Sequence, residues 1–119
     1  MEKASQHESK VLEKINEALN NDELITDPEL NLHGFAKAID FPARTVSNII
    51  NKYWRKGFRA LIAPYRVRKA ISLMKSGKKK KLHQIGKEAG FNSRTTFFTS
   101  FKQELGICPR EFIKNISTN

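Results

Sequence analysis

An internal repeat constrains this chain more than any other feature. Leu32 to Thr45 (LHGFAKAIDFPART) and Leu82 to Thr95 (LHQIGKEAGFNSRT), shifted by 50 residues, agree at six of fourteen positions. The pairs are Leu32/Leu82, His33/His83, Lys37/Lys87, Phe41/Phe91, Arg44/Arg94 and Thr45/Thr95. Each copy reads as a short helix, a turn, and a second helix whose apolar residues return at helical intervals. In the later copy Ser93 is placed to cap that second helix, and Phe97, Phe101 and Leu105 form one stripe down it. In the earlier copy the stripe runs through Val46, Ile49 and Ile50, which implies one extra residue past the matched stretch of the later copy. Two short helices joined by a tight turn read as a helix-turn-helix. The chain is therefore expected to be all-α with two such units in tandem, since two copies are fewer than a solenoid needs.

The intervening segment is expected to join them as a long connecting helix. Phe58, Leu61, Ile62 and Tyr65 make one stripe, and Val67, Ala70, Ile71 and Met74 repeat it nine residues later. Nine residues at ~100° each bring the second stripe to roughly the opposite side, so one helix would serve two cores. Pro64 stands at the crossover, either as a kink in that helix or near its start. Gly77 ends the connector and Gly106 the second recognition helix, after which Pro109 opens a last helix to Ile116 with Phe112 facing inward. Upstream, Ser5 and Glu8 have capping-box spacing ahead of Val11, Leu12, Ile15, Ala18 and Leu19, and Asn20–Asn21 can end that helix. Thr26 to Glu29 reads as a turn, with Asp27 and Pro28 suited to cap and first-turn positions. The expected layout is an acidic helix and linker over 1–31, a first unit over 32–57, the connector over 58–77, and a second unit with its closing helix over 78–116.

Charge divides along the same lines. The chain is +10 with a pI near 10.0. Met1 to Asn31 carries three Lys/Arg against eight Asp/Glu, and the remainder carries nineteen against four. The basic excess belongs to the repeat, which gives it the electrostatic footprint of a polyanion binder. The polar face of the first recognition helix holds Arg44, Thr45, Ser47 and Asn48; that of the second holds Arg94, Thr95, Thr96 and Thr99. Arg pairs with guanine and Asn with adenine by bidentate geometry in a DNA major groove, although Ser and Asn are also ordinary solvated residues. Lys52, Arg55, Lys56 and Lys102 suit phosphates. The run Lys78 to Lys81, with Lys79 and Lys80 at its centre, is either a solvated loop or a phosphate contact.

Other chemistries find little support. Three histidines and one cysteine offer no metal or nucleophile constellation, so neither a metal, a cofactor nor an enzyme activity is expected. The lone Cys108 excludes an intramolecular disulfide and fits a reducing cytoplasm. No run of about 18 apolar residues could span a membrane, and MEKASQHESK lacks the apolar core of a secretory signal. The aromatics fall on stripes expected to be buried, so base-stacking platforms for RNA are not evident.

Phe58, Tyr65-Arg66-Val67, Ala70, Gly90-Phe91, Ser93, Phe97, Phe101-Lys102, Gly106, Pro109 and Phe112 together resemble the AraC/XylS family of bacterial transcription activators. The resemblance covers about 30–113. It implies a domain of about seven helices whose two recognition helices enter successive major grooves of double-stranded DNA. Carried over by position, the DNA-facing residues are Arg44, Ser47 and Asn48 in the first unit, and Arg94, Thr95, Thr96, Phe98 and Thr99 in the second. The chain departs from the family pattern at Arg55, where Gly is usual, at Thr99, where Arg is frequent, and at Cys108, where Ser or Thr caps the last helix. Recruitment of RNA polymerase and a separate sensing or dimerising domain are further implications, with this segment expected to be a monomer alone.

Overall fold

A computed structural model gives the fold and describes residues 5–77 and 80–117. Eight helices and no strand occur among the described residues: α1 (Gln6–Leu19), α2 (Asp22–Ile25), α3 (Leu32–Ile39), α4 (Ala43–Trp54), α5 (Phe58–Lys75), α6 (Leu82–Glu88), α7 (Arg94–Leu105) and α8 (Pro109–Ser117). The all-α expectation holds, with eight helices in place of about seven. The addition is α2, four residues long and so too short to leave a periodic trace.

Local chemistry explains most boundaries. Ser5 caps α1 by accepting from the Glu8 N–H at 3.1 Å. Asn21 caps α2 and Asn31 caps α3, accepting from Leu24 and Gly34 N–H at 3.3 and 2.8 Å. Asn31 thus takes the capping place expected of Asp27. The turn expected over 26–29 is present, with Asp27 accepting from the Glu29 N–H two residues on. Gly106 ends α7 at φ 78, and Gly77 follows the end of α5 at φ 81, both in the left-handed region that glycine enters without penalty.

Two apolar cores result. The first collects Val11, Ile15 and Leu19 of α1, Ile25 of α2, Phe35 and Ile39 of α3, Val46, Ile49 and Ile50 of α4, and Leu61 and Ile62 of α5. The second collects Val67, Ala70 and Met74 of α5 with Ile85, Ala89, Phe91, Phe97 and Phe101, flanked by Phe112 and Ile116. The change of stripe along α5 is therefore real, and the helix runs unbroken past Pro64. Leu105 departs from the expected stripe: it is 39% exposed at the last turn of α7, and α8 covers Phe101 through Phe112 instead, rings 5.5 Å apart.

Arg66 is the one charged residue buried among those described, 9% exposed, four residues after Ile62 and four before Ala70. Its Nε donates to the Ile25 carbonyl at 2.8 Å and its Nη2 to the Asp27 carbonyl at 3.0 Å. Ile25 ends α2, so the guanidinium satisfies a carbonyl that the short helix leaves open. Burial pulls the Arg66 pKa down from the ordinary arginine range, with Asp27 opposing and Arg59 adding to that shift.

Candidate nucleic-acid interface

Each recognition helix has twelve residues and buries its first, fourth and fifth apolar-stripe positions in the same pattern. In α4 the buried residues are Val46, Ile49 and Ile50, and in α7 they are Phe97, Ser100 and Phe101. These superpose at a shift of 51, whereas the supporting helices superpose at 50, with Phe35, Ala36 and Ile39 matching Ile85, Gly86 and Ala89. The extra residue of the second unit is thus Asn92, in the turn before the helix, and not beyond Thr95 as the sequence match implied. Arg44 and Arg94 are consequently not equivalent: Arg94 opens its helix where Ala43 opens the other, and Arg44 corresponds to Thr95. By the same register Ser47 corresponds to Phe98 and Asn48 to Thr99.

The outward faces now compare directly. Arg44 and Asn48 are exposed and Ser47 half-buried on α4; Arg94, Thr95, Thr96 and Thr99 are exposed on α7. Phe98 is half-buried, its ring edge-on to Phe97 with centroids 5.7 Å apart, while the Arg94 guanidinium lies 5.0 Å over its face. Ser93 caps α7 by accepting from the Thr96 N–H at 3.1 Å, and its hydroxyl donates to Thr96 Oγ1 at 2.9 Å. The Thr96 hydroxyl keeps its own hydrogen to donate outward. Pro42 precedes α4 with no side-chain cap.

The basic residues divide into those held and those open. Lys52 lies 3.1 Å from Glu8 of α1, and the Tyr53 hydroxyl donates to the same carboxylate at 3.0 Å. The Lys52 and Tyr53 bonds, the Lys52 charge and the Ser5 backbone together hold the Glu8 carboxyl below its ordinary pKa. Lys80 is paired with Glu88 at 2.8 Å. Lys56 and Lys102 are exposed, and Arg55 is exposed in the left-handed conformation (φ 55) where the resemblance expects glycine. Lys79 lies outside the described residues. His33 and His83 are exposed on separate units, and among the described residues no group of three His, Cys, Asp or Glu could hold a metal. Among the described helices none is long and apolar enough to cross a membrane.

Tandem helix-turn-helix units, each presenting a polar face on its second helix, define a DNA-binding helix-turn-helix domain. A family model described as a helix-turn-helix domain matches residues 35–115, and the chain belongs to this AraC-type family of DNA-binding transcription-regulator domains. Among curated proteins, the TCP pilus virulence regulatory protein of Vibrio cholerae is 41% identical over 56 residues. That stretch is 47% of this chain and 20% of the relative's length. Among solved structures, the C-terminal domain of AraT, a response regulator from Geobacillus stearothermophilus, superposes with a TM-score of 0.72 at 21% identity, covering 93% of this chain and 88% of that one. An AraC-type transcriptional regulator from Chromobacterium violaceum gives 0.66 at 22% identity, covering 88% and 89%.

Proposed function

We propose that this chain binds double-stranded DNA sequence-specifically for a bacterial transcription activator, with α4 and α7 in successive major grooves on one side of the duplex. The observation that carries this reading is the matched pair of recognition helices, each with its stripe buried and its polar face outward at equivalent positions. The molecule extends 50 Å along its longest axis, enough to reach two grooves ~34 Å apart. Arg44, Ser47 and Asn48 read bases from the first unit; Arg94, Thr95, Thr96 and Thr99 read them from the second. Phe98 can offer its ring edge to a thymine methyl and supports the Arg94 guanidinium from below. Each good bidentate contact discriminates by about 1–3 kcal/mol.

Arg55, Lys56, Lys79 and Lys102 hold phosphates, and Lys52 and Lys80 join them when their pairs with Glu8 and Glu88 open. One chain already presents two reading heads, so it acts as a monomer in the cytoplasm, with RNA polymerase as a further partner of the regulator. Selection of duplexes from a random library with this chain tests the reading, with enriched and scrambled duplexes compared across salt. Two short motifs about one helical turn apart are expected. Binding without enrichment that vanishes as salt rises would leave a nonspecific polyanion binder and defeat it.

A further inference from the structure

The two apolar cores do not merge. Between them lies a small polar seam, made by residues of the second unit and the connector against one stretch of backbone, 25–28, which the first core carries through the buried Ile25. Arg66 donates to the carbonyls of Ile25 and Asp27. Asn92 Nδ2 donates to the carbonyl of Pro28 at 2.8 Å. Gly90 sits against the same stretch with φ 106, where a Cβ would lie 2.7 Å from Arg66 Nε, 2.9 Å from the Ile25 oxygen and 3.0 Å from the Thr26 Cα. Asn92 is also the residue by which the second unit exceeds the first. The one insertion in the repeat supplies a bond that crosses between the units.

We infer that Arg66, Gly90 and Asn92 form a lock that fixes the separation and rotation of the two recognition helices, making the spacing between half-sites a property of the protein. They are positioning residues and read no base themselves. This rests on the proposed two-groove reading. Its physical ground is that α5 alone is a poor ruler. Pro64 removes one backbone hydrogen bond from α5 near the crossover between the cores, so bending there is opposed chiefly by what bridges the units. The carbonyls of Ile25, Asp27 and Pro28, bound by side chains of the connector and the second unit, supply that bridge, and the buried Arg66 cannot swing out without taking from the Ile25 carbonyl its bond, whereas Asp27 keeps the Leu30 N–H.

The test uses Asn92→Ala, which removes only the exposed crossing bond, and Arg66→Met, which keeps the length of the side chain without its donors. Duplexes carry the two selected motifs at the native spacing, with about two base pairs added, or with about five added, half of a ~10.5 bp turn. The unaltered chain is expected to lose at least about tenfold in affinity on either insertion, down to the level of a single-motif duplex. Both variants are expected to bind the single-motif duplex as before, to lose about three- to tenfold at the native spacing, and to tolerate about two added base pairs.

A second readout needs no DNA. Spin labels on Lys37→Cys of α3 and Gln84→Cys of α6, in a Cys108→Ser background, are expected to give a narrow distance distribution that broadens in Asn92→Ala. A distribution and a spacing profile both unchanged in folded Asn92→Ala and Arg66→Met would overturn the lock. If the unaltered chain selects no paired motif, the two-groove reading fails, and the label distances still decide whether the seam holds the units.

Discussion

The Arg94 guanidinium lies 5.0 Å over the ring of Phe98, one turn further along the same helix, so the first residue of α7 is held by the fifth. Phe98 in turn is braced edge-on against the buried Phe97. A flexible arginine is thereby restricted before any partner arrives, which lowers the entropy it must lose on binding. Replacing Phe98 by Leu keeps most apolar packing but removes the π face. A stacked exposed cation contributes about 0.5–1 kcal/mol, so DNA affinity should fall about two- to fivefold. The base preference should weaken at the same base pair that Arg94→Ala affects. An unaltered preference there, read by library selection, would separate Phe98 from Arg94.

Arg55 stands in the left-handed region at the end of α4, where a side chain costs about 1–2 kcal/mol and glycine costs none. Part of that gain is offset by the freer unfolded chain that glycine brings. Arg55→Gly should therefore raise stability to denaturant by about 0.5–1 kcal/mol. It should also reduce the slope of log affinity against log salt by about one phosphate contact. The two assays move in opposite directions, and a salt slope that does not change removes Arg55 from the phosphate set.

Gly86 and its counterpart Ala36 make a paired test. A Cβ at Gly86 would lie 2.6 Å from the fully buried Phe97 ring, which has no room to yield. Gly86→Ala should destabilise the chain by about 1–3 kcal/mol through overpacking. At position 36 the same methyl is already accommodated, and Ala36→Gly should cost about 1 kcal/mol through helix propensity and lost burial. Thermal melts with the same sign of change for Gly86→Ala as for a stabilising mutant would contradict the close approach of α6 and α7.

Glu8 links the acidic first helix to the end of α4. Its folded pKa lies below the ordinary value of 4.5, so its contribution to stability is complete above that value and is lost as pH falls through the depressed one. Stability measured from pH 6 downward should show an acid-limb loss that Glu8→Gln reduces. At neutral pH the same change removes one negative charge beside Lys52 and should strengthen DNA binding at low salt. Equal affinities for the two proteins at low salt would mean that Lys52 does not meet the duplex.

The tandem units, the double-sided connector, both recognition helices and their polar faces were legible because helical periodicity and glycine ends report on many residues at once. The extra residue of the second unit was legible in its apolar stripe, but its place was not. The identities of Arg44 with Arg94 and Thr45 with Thr95 hold the copies at a shift of 50 through Thr95, while the burial of Phe97, Ser100 and Phe101 puts the whole helix at 51 and the insertion at Asn92. α2 escaped notice at four residues, and with it the carbonyls that Arg66 binds. Arg66 itself left a signal, an arginine spaced four residues from both Ile62 and Ala70, on the angle where an apolar side chain was due. What it would bind there depended on a loop forty residues away, and no local pattern carries that.

Asn92 shifts one recognition helix by a residue relative to its copy, and the result is that only one outward pair keeps its residue, Thr45 with Thr96, while Ala43 corresponds to Arg94, Arg44 to Thr95, Ser47 to Phe98 and Asn48 to Thr99. A chain with two unlike heads has a front and a back. On the proposed DNA site its halves would differ in sequence, and the protein would fit in one orientation only. Direction along the chromosome, which a two-fold symmetric dimer cannot express, would then be built into a single polypeptide by the tandem order of two unlike heads.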